Sequence, residues 1–116
     1  MLFRSIETVA ASSAKTGALL VADCAPDMAS MGHVLLSQLL QQGLPALRQA
    51  PRLIAYPNHP VPTTPFLANH YYPGAAQIAA TALTMLGLDD LRDAVAAELA
   101  SDLPADQPDR RFVGPF

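Results

Sequence analysis

The sequence predicts an α/β domain in which helices pack on a small, mostly parallel sheet. Three observations lead there. The run Ala18 to Asp23 is continuously apolar with no alternation until its last residue, as in a strand covered on both faces. Apolar residues at helical spacing fill the segments before and after it. A second short strand, Arg52 to Tyr56, lies a crossover's length downstream and is stopped by Pro57.

The elements follow in order. Ser5 to Lys15 reads as a helix with Ile6, Val9, Ala10 and Ser13 on one stripe, and Gly17 stands just past its end, where a left-handed residue terminates helices. Ala18 to Asp23 is expected to be a central strand. Pro26 and Asp27 open the next helix, with Asp27 as its cap. Met28, Met31, Leu35 and Leu39 form the apolar stripe, widened by Leu36 and Leu40, with Ser30, His33, Ser37 and Gln41 on the polar side. Gly43 ends that helix, and Leu44 to Ala50 connects it to the second strand. Further on, Ala75, Ile78, Ala79, Ala82, Leu83 and Leu86 recur at helical spacing until Gly87. A last helix runs from about Asp89 with Leu91, Val95 and Leu99 inward, and Pro104 marks its end. The division is therefore 1–103 as the folded unit and 104–116 as a proline-rich polar tail.

Between the second strand and the helix near Gly74 lies PNHPVPTTPFLANHYYP, Pro57 to Pro73, with five prolines and three aromatics. Proline fixes φ and removes a backbone donor, so this segment reads as neither helix nor central strand but as an ordered connection. A disordered linker would not place Phe66, Leu67, Tyr71 and Tyr72 in water. One tyrosine ring is expected to pack on the second strand or the following helix, the other to face a partner. Phe66, His70, Tyr71 and Tyr72 are the interface candidates.

Composition narrows the function classes. In 116 residues the formal net charge is −3, and the seven basic residues are scattered, so no basic stripe for nucleic acid exists. The acids Asp89, Asp90, Asp93, Glu98, Asp102, Asp106 and Asp109 gather in the last third, as a solvated helix and tail or as a face for a basic partner. The single cysteine, Cys24, suits a reducing compartment, and the opening residues do not read as a signal peptide. Both point to the cytoplasm, and no apolar run reaches membrane-spanning length.

Candidate chemistry is sparse. Asp23, Cys24 and His33 offer a thiol at a strand end beside a helix start and a base, but no third, orienting group. A small, half-buried apolar role for Cys24, with His33 directed away from it, accounts for the same residues. The separations of His33, His59 and His70 match no metal-ligand spacing, and the isolated glycines form neither a P-loop nor a dinucleotide fingerprint. No catalytic, cofactor-binding or metal residue is assigned.

Taken together, KTGALLVAD (Lys15 to Asp23), a helix, APRLIAY (Ala50 to Tyr56), the proline segment and Ile78 resemble the end of a transketolase C-terminal-type domain. The chain is most similar to the form in the β subunit of thiamine diphosphate-dependent 2-oxoacid dehydrogenase E1 components, the pyruvate, branched-chain and acetoin dehydrogenase group. The order and spacing of the pieces match over roughly residues 5 to 87. The resemblance implies a further strand, helix and strand before residue 1. It implies a non-catalytic, assembly and docking role in oxidative decarboxylation of a 2-oxoacid by the complete enzyme. Thiamine diphosphate and Mg would be held by other parts of that enzyme, none by this chain. The implied partners are an E1 α-type subunit, a second β-type subunit and the E2 acyltransferase core. Two departures stand out: Ala29 to Val34 replaces a glycine-rich run, and Asn58 stands where the family's Pro-Asp pair has its acid. Two other function classes remain as rivals, a free-standing acidic interaction module and a small hydrolase using Cys24.

Overall fold

The computed structural model describes residues 6–43, 46–100, 102–107 and 113. The order is α1 (Ile6–Thr16), β1 (Leu20–Pro26), a 3-10 turn (Asp27–Ala29), α2 (Met31–Gln41), β2 (Arg52–Tyr56), α3 (Pro65–Tyr71), α4 (Ala75–Met85) and α5 (Asp89–Glu98). β1 and β2 pair in parallel, with α2 in the crossover, so the fold is α/β with helices on a two-stranded parallel sheet. Among the described residues the apolar core is Ile6, Leu39, Ile54, Ala68 and Tyr71. That is thin for a chain whose radius of gyration, 15.9 Å, exceeds the roughly 13 Å of a compact domain of this length.

Two glycines fix how the pieces meet. Gly17 has φ +72° and its N–H donates to the Ser13 carbonyl at 2.8 Å, ending α1 in the left-handed conformation. The Arg48 side chain crosses it so closely that a Cβ would lie 2.7 Å from Arg48 Nε. Gly32, in the first turn of α2, is buried against the sheet. A Cβ there would meet Leu53 Cδ1 at 2.4 Å and Val21 Cγ1 at 3.2 Å, so this helix sits on both strands through a residue without a side chain.

Several expectations are corrected. The proline segment does contain a helix, α3: Pro65 occupies its first turn, where the missing N–H costs nothing, and no proline intervenes before Tyr72. Asp27 does not cap α2. The chain makes a 3-10 turn first, and Ser30 becomes the cap, its Oγ accepting from Gly32 N at 3.0 Å. The helix thus starts later, which leaves Met28 83% exposed instead of on the apolar stripe, and Ser30 buried instead of on the polar side. Leu40, placed on the widened stripe, is also exposed. β1 is not covered on both faces. Its exposure alternates toward the end, with Ala22 and Cys24 exposed, and among the described residues it pairs with β2 alone. In α5, Leu91 and Leu99 are exposed and Val95 alone of the expected three is half-buried, because that helix packs mainly on α4.

Candidate functional site

The chemistry-bearing side chains gather at the carboxyl end of the two strands. Register explains why. Ala22 pairs with Ile54 and Pro26 with Tyr56, so four steps on β1 oppose two on β2. The surplus residues form an irregularity that interrupts the ladder and re-aims Asp23 and Cys24. Pro26, lacking an N–H, ends the strand.

Asp23 is tied inward. Its Oδ2 accepts from Ser30 Oγ at 2.6 Å and, weakly, from Gly32 N at 3.4 Å. The Ser30 bond foremost holds the carboxyl below its ordinary value, with backbone amides of the helix start adding to the effect against partial desolvation. The same hydroxyl accepts from Gly32 N, so one buried side chain caps α2 and anchors the strand. Beside it, His33 Nε2 and Asp27 Oδ1 lie 3.1 Å apart on the surface. Met28 N donates to Asn58 Oδ1 at 2.8 Å, tying the 3-10 turn to the loop after β2.

The aromatic corner stands next to this strap. Tyr56 closes β2, Tyr71 closes α3 and Tyr72 follows it. Their ring centroids are 5.4 Å apart for Tyr56 and Tyr71, 5.2 Å for Tyr56 and Tyr72, and 5.0 Å for Tyr71 and Tyr72, tilted or edge-on. These are the favoured arrangements of aromatic quadrupoles. The His59 ring joins Tyr71 edge-on at 5.2 Å. Tyr71 is 3% exposed, so one ring of the pair packs on the second strand as expected, while Tyr72 is half-buried. Burial pushes the Tyr56 phenol up, with the Cys24 side-chain hydrogen bond reinforcing it.

Phe66 and His70 lie on the other face of α3, their rings 5.0 Å apart. Phe66 is 73% exposed, and His70 Nδ1 donates to the Phe66 carbonyl at 2.9 Å. The four interface candidates thus divide into two, Tyr71 and Tyr72, that build the corner and two, Phe66 and His70, that face outward from it. Next to Tyr72 a cavity of about 960 Å³ opens between the start of α4 and the end of α5. Pro73, Leu99 and Leu103 share its wall with the acids Glu98 and Asp102.

The nucleophile arrangement does not assemble. Cys24 is exposed, not half-buried, because the strand irregularity turns it outward, and its polar neighbour is Tyr56. His33 is engaged by Asp27, and no hydrogen bond links it to Cys24. The three histidines have separate partners: Asp27, the Pro60 carbonyl and the Phe66 carbonyl. Among the described residues no three His, Cys, Asp or Glu side chains converge as a metal site would require. Sequence reasoning missed Tyr56, His59, Asn58 and Ser30. Only Ser30 carried a local signal, a preferred capping residue just before an apolar helical stripe.

Over 77 residues, 66% of its length, the chain is 38% identical to the β subunit of the acetoin:2,6-dichlorophenolindophenol oxidoreductase of Cupriavidus necator, of which it spans 23%. No family model and no solved structure matches the chain.

Proposed function

We propose that this chain is the C-terminal assembly and docking portion of an E1 β-type subunit, serving a thiamine diphosphate-dependent oxidoreductase without itself supplying a catalytic group. The relative's name adds acetoin to the 2-oxoacids as a substrate for the complete enzyme. The observation that carries the reading is the division of α3. Its inner face, through Tyr71, fixes the aromatic corner, and its outer face leaves Phe66 and Leu67 more than half exposed on the same short helix. Buried aromatics in an interface contribute a disproportionate share of contact energy. An α-type subunit or a second β-type subunit covers that outer face. The cavity beside Tyr72, with Glu98 and Asp102 in its wall, is of a sign to receive a basic segment of an E2 core.

A diphosphate-bound magnesium needs converging carboxylate and amide oxygens. Among the described residues no three His, Cys, Asp or Glu side chains converge; the reading assigns the cofactor to other subunits and has the chain act in the cytoplasm beside them.

The test is co-expression of the chain with an E1 α-type subunit and the remainder of a β-type subunit, followed by affinity capture. Phe66→Ala is expected to weaken capture by tenfold or more, on the order of an interface hot spot, while leaving the melting curve in place. Capture that is insensitive to Phe66 and Leu67 substitutions overturns the reading.

A further inference from the structure

We propose that the outer side of α5 is a docking surface for a basic amphipathic helix of a partner protein. Helical spacing sorts the side chains of α5 into rows whose members stand four residues apart. One row is Leu91, Val95 and Leu99. It has the apolar period of a packed helix, yet Leu91 is 52% and Leu99 43% exposed, with Val95 half-buried between them. α4 covers only the neighbouring row, where Ala96 is half-buried and Arg92 lies against Asp89, itself bonded to Thr84 of α4.

The row on the solvent side of these leucines is Asp90, Ala94 and Glu98, all exposed. Among the described residues Asp90 and Glu98 make no ion pair. The one basic residue of α5, Arg92, stands on the opposite side of the leucines and is held by two acids, its Nε donating to Asp93 Oδ1 at 3.0 Å and its Nη1 lying 3.7 Å from Asp89 Oδ1. The open apolar row is therefore bordered by uncompensated negative charge.

That charge decides the occupant. A second copy would set the acids against each other in an antiparallel pair, and against an arginine already held by two aspartates in a parallel one. An anionic lipid surface or a nucleic acid meets the same repulsion. A partner helix with apolar residues four apart and lysine or arginine beside them satisfies both rows, the leucines by burial and the carboxylates by pairing. The leucine row runs along about 12 Å of helix, so it seats about two to three turns of the partner, and so small a contact is weak and salt-sensitive. The likeness to E1 β subunits ends near residue 87, before α5, and this surface is separate from the outer face of α3.

The test is a fluorescence-anisotropy titration of the full 116-residue chain into a labelled helical peptide of leucine and lysine in this pattern, and into a leucine and glutamate peptide with the same apolar spacing. Saturable binding of the lysine peptide, weakened by added salt, and none of the glutamate peptide are expected. Leu91→Gln and Leu99→Gln should each weaken binding about tenfold or more, and Glu98→Gln about severalfold. Leu40→Gln, at an exposed leucine of α2, and Phe66→Ala, on the outer face of α3, leave it unchanged, which keeps this surface distinguishable from the one assigned to subunit contacts. No saturable binding, binding of both peptides alike, binding that survives Leu91→Gln and Leu99→Gln, or an equal loss from Leu40→Gln overturns the proposal. A dimer in sedimentation that Leu91→Gln dissociates makes a second copy the occupant and overturns it too. Melting curves recorded alongside separate lost binding from lost fold.

Discussion

Replacing Tyr71 by alanine tests whether the aromatic corner holds the segment after β2 in place. The ring is 3% exposed and touches three others, with centroids at 5.0 to 5.4 Å to Tyr56, Tyr72 and His59. An aromatic side chain buries about 150–250 Å², which at about 25 cal/mol per Å² is roughly 4–6 kcal/mol as an upper bound. Measured truncations of buried aromatics cost about 3–5 kcal/mol. A loss of that size takes a large part of the ~5–15 kcal/mol total of a small domain and lowers Tm by about 12 °C or more. The assay is paired urea and thermal melts of wild type, Tyr71→Ala, Tyr71→Phe and Phe66→Ala. Tyr71→Phe keeps the packing and should stay within about 1 kcal/mol, and exposed Phe66→Ala within about 0.5 kcal/mol. If Tyr71→Ala melts with wild type, or Phe66→Ala falls as far as Tyr71→Ala, the division of α3 into a structural and an outward face is wrong.

Other outcomes follow from the packing. Gly32→Ala should cost about 1–3 kcal/mol, because its Cβ would collide with Leu53 and crowd Val21, and a stability equal to wild type in chemical denaturation would show that α2 does not rest on the strands there. Ser30→Ala removes the cap and the partner of Asp23 together and should cost about 1–2 kcal/mol. Because the Ser30 hydrogen bond foremost holds the Asp23 carboxyl below its ordinary value in the folded chain, its contribution is present above the unfolded-state pKa and lost as pH falls through the lowered one. Ser30→Ala should flatten this acid limb, which acid titration followed by circular dichroism reads directly. Calorimetric titration of the chain with thiamine diphosphate and Mg²⁺ should give no saturable heat, and micromolar binding would contradict the assignment of the cofactor to other parts of the enzyme.

The strand and helix order was legible because it rests on local signals. Pro57 stops β2, Gly17 ends α1, and the period of the apolar residues separates strands from helices. The start of α2 was misread because both Asp27 and Ser30 are good capping residues, and the choice between them depends on Gly32 reaching the sheet, a tertiary contact. α3 was hidden by proline count. Proline in a first turn is no obstacle, and only its position relative to Phe66 and Tyr71 distinguishes that from a broken segment. The aromatic corner was half legible: Tyr71 and Tyr72 stood out in sequence, but Tyr56 and His59 join them through the register of the strands, which the sequence does not print. The exposure of Cys24 comes from the same register irregularity.

The bond from Met28 N to Asn58 Oδ1 bears on how this sequence could drift. The resembled pattern carries an acid where this chain has Asn58, which on paper is a change of charge beside the site. The backbone amide asks only for an oxygen acceptor, and an amide and a carboxylate both present one at the same distance from the main chain. Exchange in either direction keeps the clamp on the 3-10 turn, so the substitution is mechanically silent while it alters the surface potential. A position of this kind lets a lineage retune its electrostatic complementarity to a changing partner without passing through a misfolded ancestor.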